Sequence, residues 1–244
     1  MDHQVIRDVD HEAREPLASS TITLTAEDGF QSSAYVCEPL GKPRGAIVVL
    51  QEIFGVNAHI RNVAEGYAAA GYLAVAPSTF DRIERNVQLS YAQADMAQAR
   101  HLKAAVEALP APGVLQDVQA AVTYAARAGQ VGIVGYCWGG LLAWRAAESV
   151  RGLSAAVSYY GGGMTAGREP ARQPAVPTMA HFGEQDQHIT VDSVKAFARA
   201  HPAVEVHLYA ANHGFNCDQR DAYNAGAAAT ALERSLYHFG KHVG

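Results

Sequence analysis

Short apolar runs alternate along this chain with longer segments whose apolar positions return every three or four residues. Near the start, Ile22 and Leu24 alternate with threonines and lead to Glu27-Asp28-Gly29. That predicts a hairpin into a second strand from Gln31 to Glu38, closed by Pro39. Ala46 to Leu50 reads as a buried strand, followed by a helix from the N-cap Asn57 to about Ala70, with Gly71 as its stop. Tyr72 to Ala76 is the next strand. Asp81 to Arg85 reads as a solvated loop, Tyr91 to Leu109 as an alanine-rich helix, and Val114 to Arg127 as a helix with Leu115, Val118, Val122 and Ala125 on one face.

Further along, strands are predicted from Leu153 to Tyr160, Pro177 to Gly183 and Val204 to Tyr209. Helices are predicted from Val191 to Ala200 and from Tyr223 to Phe239. The alternation implies an α/β fold, a doubly wound, mostly parallel sheet with antiparallel strands at its N-terminal edge. Residues 1–18 are charged and lack periodicity, so they read as an N-terminal arm. Residues 19–244 show no repeat or boundary and read as a single domain.

The most informative stretch is Val131 to Trp144. Val131, Ile133 and Val134 form a short buried strand, and an Ala- and Leu-rich helix follows Gly139-Gly140. Cys137 stands at the junction, with Gly135 two residues before it and Gly139 two after. Small residues flanking a turn residue in this way mark a nucleophile elbow. The turn lifts the side chain off the sheet at a helix N-terminus, where positive potential favours a thiolate. A lone cysteine is also a common core residue. A phosphate loop is not supported, because neither the Gly-x-Gly-x-x-Gly spacing nor a following Lys-Ser or Lys-Thr is present.

Composition narrows the partners. With 19 basic against 24 acidic residues the net charge is −5, and no basic run favours nucleic acid or an anionic membrane. No stretch has the length of a membrane span, and the polar start does not read as a signal peptide. Cys37, Cys137 and Cys217 cannot all pair, and neither they nor the histidines show zinc-ligand spacing, so a reducing cytoplasm and no metal are expected. Cys37 reads as structural.

In doubly wound sheets ligands bind beyond the carboxyl ends of the strands. Glu52, Cys137, Asp186 and His213 all fall at such ends. The chain order nucleophile, acid, histidine suits a triad, in which His213 takes the thiol proton and Asp186 holds the histidine tautomer. Glu184 is the competing acid. His181, inside a strand, reads as a core histidine; His188, His201, His207, His238 and His242 read as solvated or packing residues.

Gln51-Glu52-Ile53-Phe54-Gly55-Val56-Asn57, Gly135-Tyr136-Cys137-Trp138-Gly139-Gly140, Gly183-Glu184-Gln185-Asp186 and His213-Gly214-Phe215 together resemble the dienelactone hydrolase (carboxymethylenebutenolidase) family. The likeness runs from about Thr21 to Phe239. It implies an α/β-hydrolase fold, with Cys137 as nucleophile, His213 as base and Asp186 as acid. It also implies an oxyanion hole from the backbone N–H groups of Ile53 and Trp138. By the same resemblance Glu52 is an extra carboxylate near the thiol, which keeps Cys137 neutral until substrate displaces it. Family members that bind an anionic lactone carry an arginine four residues after the histidine, where this chain has Cys217. Arg220 is the nearby substitute and Arg100 a second candidate for the substrate charge, with Arg82 and Arg85 as others; Cys217 lines the pocket or packs.

The implied function is hydrolysis of small esters or lactones through an acyl-thioester, without metal or organic cofactor, in a monomer or small homo-oligomer. The alternative is a non-catalytic ligand-binding or redox-active protein of the same fold.

Overall fold

The computed structural model describes residues 17–244, so the arm expected over residues 1–18 lies, up to residue 16, outside the described residues. The strands are β1 (Ser19–Thr25), β2 (Gln31–Cys37), β3 (Ala46–Leu50), β4 (Leu73–Pro77), β5 (Val131–Tyr136), β6 (Leu153–Tyr159), β7 (Thr178–Gly183) and β8 (Glu205–Tyr209). The helices are α1 (Ala58–Ala69), α2 (Met96–Glu107), α3 (Leu115–Ala125), α4 (Trp138–Ser149), α5 (Val191–Ala200) and α6 (Ala225–His242).

The strands form one sheet in the order β1-β2-β4-β3-β5-β6-β7-β8. β1 with β2 and β2 with β4 run antiparallel, and every later pairing is parallel. This is the doubly wound sheet with an antiparallel N-terminal edge that the alternation predicts. β3, β4, β5 and β7 are buried along their whole length, as expected of parallel strands covered by helices on both faces. Cys37 is a fully buried free thiol in β2.

Packing of α4 onto the sheet depends on three missing side chains. A Cβ on Gly135 would stand 1.9 Å from the Gly139 carbonyl oxygen, one on Gly139 2.4 Å from that of Gln51, and one on Gly140 2.7 Å from that of Tyr159. These neighbours are backbone and cannot swing aside. Gly139→Ala is therefore expected to force α4 off β3 and cost about 3 kcal/mol of stability. Urea unfolding checks this, and a midpoint equal to wild type would refute the close approach.

Polar contacts hold α4 from its other side. The Trp138 indole donates to Glu107 of α2 at 2.6 Å, and Arg145 pairs with both Glu107 and Glu169. Phe80 stacks on the Trp138 ring at 5.3 Å.

The segment from Asp81 to Arg85 is a loop, exposed from Ile83 to Arg85 as expected, but it is anchored at its start. Asp81 is buried and accepts the Ser33 N–H and hydroxyl, both at 2.7 Å. Arg82 bridges Asp117 of α3 at 2.7 Å and Asp28 of the hairpin at 2.8 Å, while Arg85 donates to the Gln31 carbonyl at 2.7 Å. Short-range apolar periodicity is blind to such long-range ion pairs. α2 also begins at Met96 rather than Tyr91, because the Asp95 carboxylate accepts from the Ser90 N–H and hydroxyl and holds residues 90–95 in a turn.

Candidate active site

Cys137 joins β5 to α4 with φ 55° and ψ −116°. That region is unfavourable for a side-chain-bearing residue and persists only where the surroundings enforce it. Here its N–H donates to the Tyr159 carbonyl, and its own carbonyl accepts from Gly140, Leu141 and Gly162. The strained backbone is thus fixed on both sides, and Sγ projects at the start of α4 into a cavity of about 380 Å³.

Sγ lies 3.2 Å from His213 Nε2, and His213 Nδ1 lies 2.7 Å from Asp186 Oδ2. Asp186 Oδ1 accepts the N–H groups of His188 at 2.7 Å and Ile189 at 3.1 Å. The loops that carry acid and histidine are tied together by backbone bonds from Glu184 to Tyr209 and from Gln185 to Ala211. Gly183 lets them approach, since a Cβ there would meet the Ala211 oxygen at 2.3 Å. Asp186 is buried on His213, whereas Glu184 is exposed, so geometry favours Asp186 as the acid.

Burial opposes protonation of His213, but its neighbours Cys137 and Asp186, through charge and hydrogen bonds, outweigh it and push the histidine up to about 10. Burial likewise pushes Asp186 up, and the His213 hydrogen bond and charge, with two backbone N–H groups, bring it below the ordinary value. Cysteine, histidine and aspartate thus lie in one hydrogen-bonded line.

The Ile53 and Trp138 N–H groups donate to no carbonyl among the described residues, and both residues line the cavity. Glu52 is fully buried, and its Oε2 accepts from the Tyr91 hydroxyl at 2.8 Å. Its Oε1 lies 3.7 Å from Arg220 Nη1. The hydrogen-bond partner of Sγ is His213 and not Glu52, so the carboxylate is turned toward Tyr91 and Arg220.

Arg220 and Arg100 line the cavity, and Arg82 and Arg85 are engaged elsewhere. Arg220 packs where a side chain on Gly214 would be, 2.6 Å from the position of its Cβ. The glycine after His213 therefore makes room for this guanidinium.

Two lining residues escape the sequence reading. His188 packs edge-on against His213 with ring centres 5.5 Å apart, and Lys103 of α2 joins Arg100 at the cavity wall. The position of His188, two residues after Asp186 in the same strand-end turn, is the signal that could have found it. His181 is a core histidine as expected, bonded to Tyr209 and Ser235. His201 and His238 are buried packing residues held by the carbonyls of Pro170 and Pro177. Among the described residues no helix is long and apolar enough to cross a membrane.

Comparison with known proteins matches residues 32–243 to the sequence model of the Dienelactone hydrolase family. The carboxymethylenebutenolidase of Pseudomonas putida is 34% identical over 223 residues, covering 88% of this chain and 93% of that one. A candidate carboxymethylenebutenolidase of Escherichia coli strain K12 is 33% identical over 264 residues, covering 95% and 94%. A crystal structure of a candidate dienelactone hydrolase from Klebsiella pneumoniae superposes with a TM-score of 0.78 at 27% identity, covering 93% of this chain and all of that one.

Proposed function

The chain belongs to the dienelactone hydrolase family, of α/β-hydrolase fold, and is a carboxylic ester or lactone hydrolase; from that premise we propose that Cys137, His213 and Asp186 are its catalytic triad. The observation that carries this reading is the unbroken hydrogen-bonded line from Sγ through the imidazole to the Asp186 carboxylate.

The Cys137 thiolate attacks the carbonyl carbon, and the displaced electron pair forms an oxyanion facing the N–H groups of Ile53 and Trp138. Collapse breaks the ring or ester C–O bond, and the departing oxygen takes the proton stored on His213. In a lactone that oxygen stays tethered to the acyl group. His213 then removes a proton from water, the hydroxide attacks the thioester, and Cys137 leaves as thiolate beside the reprotonated imidazole. Asp186 keeps Nδ1 protonated throughout. No metal or organic cofactor takes part in these steps. All three cysteines are free, which suits a reducing, cytoplasmic setting.

Arg100, Lys103 and Arg220 put three cationic groups on the cavity wall, so the substrate we favour is a small ester or lactone bearing a carboxylate. Arg220 takes over the charge that Cys217 cannot supply. Arg100→Ala and Arg220→Ala are each expected to raise KM for dienelactone about 10-fold. A neutral nitrophenyl ester should change less than about 2-fold in the same variants. Equal losses on both substrates would reject the anion site. The acyl-thioester itself is tested by rapid acid quench and intact mass during turnover of a slowly deacylated ester. An acyl group mapped to Cys137 supports the mechanism, and one mapped to any other residue sinks it.

A further inference from the structure

Behind the catalytic cavity, one oxygen of Glu52, one ring nitrogen of His59 and Sγ of Cys217 lie within 4.8 Å of one another, and all three residues are buried. Each has a donor atom to spare. Glu52 Oε2 is taken by Tyr91, which leaves Oε1 buried with no hydrogen-bond partner. His59 Nδ1 is held by Asp218 at 3.2 Å, and Nε2 is buried without a partner on a side chain only 3% exposed. Cys217 is a free, fully buried thiol.

Two orphaned polar atoms and a thiol converging in a buried spot are costly unless something joins them. The Arg220 guanidinium, 3.7 Å from Oε1, is too distant for a hydrogen bond and leaves His59 unserved. From this geometry we propose that Glu52, His59 and Cys217 form a binding site for a borderline divalent cation, with zinc as its ligand. A thiolate, an imidazole and a carboxylate are the three donor types zinc takes together, and three protein ligands leave one tetrahedral position open. Asp218 fits as the outer partner: a carboxylate on the far nitrogen of a histidine fixes the tautomer that offers its lone pair to the metal. On binding, the Cys217 thiol proton leaves to solvent and the thiolate binds.

The test must separate this site from the catalytic thiol, so it is run in the full chain carrying Cys137→Ala. Chelator competition with Zn²⁺ is expected to find one equivalent bound. Cys217→Ser or His59→Gln on that background should weaken it more than about 100-fold, and Asp218→Asn about 10-fold, as an outer partner does. Co²⁺ in the parent should show a thiolate-to-cobalt charge-transfer band that Cys217→Ser abolishes. Far-ultraviolet circular dichroism and melting of each metal-free variant establish that it is folded. Zinc bound only when Cys137 is present, zinc binding indifferent to Cys217→Ser in a folded variant, or no stoichiometric zinc in the Cys137→Ala parent would each overturn the site.

Discussion

Cys137→Ala is expected to lower kcat/KM for a neutral nitrophenyl ester by about 10,000-fold or more, with KM little changed. That loss corresponds to about 5.5 kcal/mol of transition-state stabilisation. The methyl group cannot form the acyl bond, and the activity left over is what the N–H groups of Ile53 and Trp138 give to direct attack by water. Substrate binding persists because the cavity wall, including Arg100, Lys103 and Arg220, is untouched. The fold persists too, since alanine tolerates φ 55° no worse than cysteine and the bonds of residue 137 to Tyr159, Gly140, Leu141 and Gly162 involve backbone only. A variant that retained more than about a hundredth of wild-type turnover would show that another nucleophile acts.

Asp186→Asn should cost nearly as much, about 1,000- to 10,000-fold in kcat, for a different reason. An amide in place of the carboxylate brings an N–H group toward Nδ1 and favours the tautomer that points the wrong nitrogen at Sγ. It also removes the charge that helps hold His213 near 10. The imidazole titration, followed by NMR, should move down toward the ordinary histidine value. The sign for stability follows from linkage. A histidine raised to about 10 from about 6.5 stabilises the fold fully below pH 6.5, loses that contribution progressively above it, and has none left above about pH 10. Part of that contribution is lost in Asp186→Asn, so its deficit in urea unfolding should shrink between pH 6 and pH 10. A deficit constant across that range would place the role of Asp186 outside the proton balance of His213.

The order and type of elements were legible because they rest on local rules. Asn57 caps α1 by accepting the Ile60 N–H, as its position before an apolar-periodic run implies. The Gly135-x-Cys137-x-Gly139 spacing marked the elbow because no larger residue fits those approaches. The position of Asp186 and His213 beyond strand ends singled them out as partners for Cys137, whereas Glu52, at a strand end too, gained its role only from the family resemblance. Contacts between distant segments were not legible. Nothing near Asp81 announces that Ser33 will bury it, and nothing near Tyr91 announces the Glu52 carboxylate. The cluster of Glu52, His59 and Cys217 escaped a search for ligand spacing because its third member joins the other two only when β8 reaches the same end of the sheet as β3.

The sheet register also separates two kinds of change that the enzyme can undergo. Cys137, His213 and Asp186 follow β5, β8 and β7, whose alignment is set by backbone pairing. Met96, Arg100 and Lys103, which shape the cavity mouth, come from α2, an element outside the sheet. A substitution at Met96, Arg100 or Lys103 is expected to alter which molecules enter while leaving the Glu107 contacts to Trp138 and Arg145 of α4 in place. Substrate range in this architecture can therefore drift one helix residue at a time while the cleavage machinery stays constant, and α2 is where a library designed to redirect this enzyme belongs.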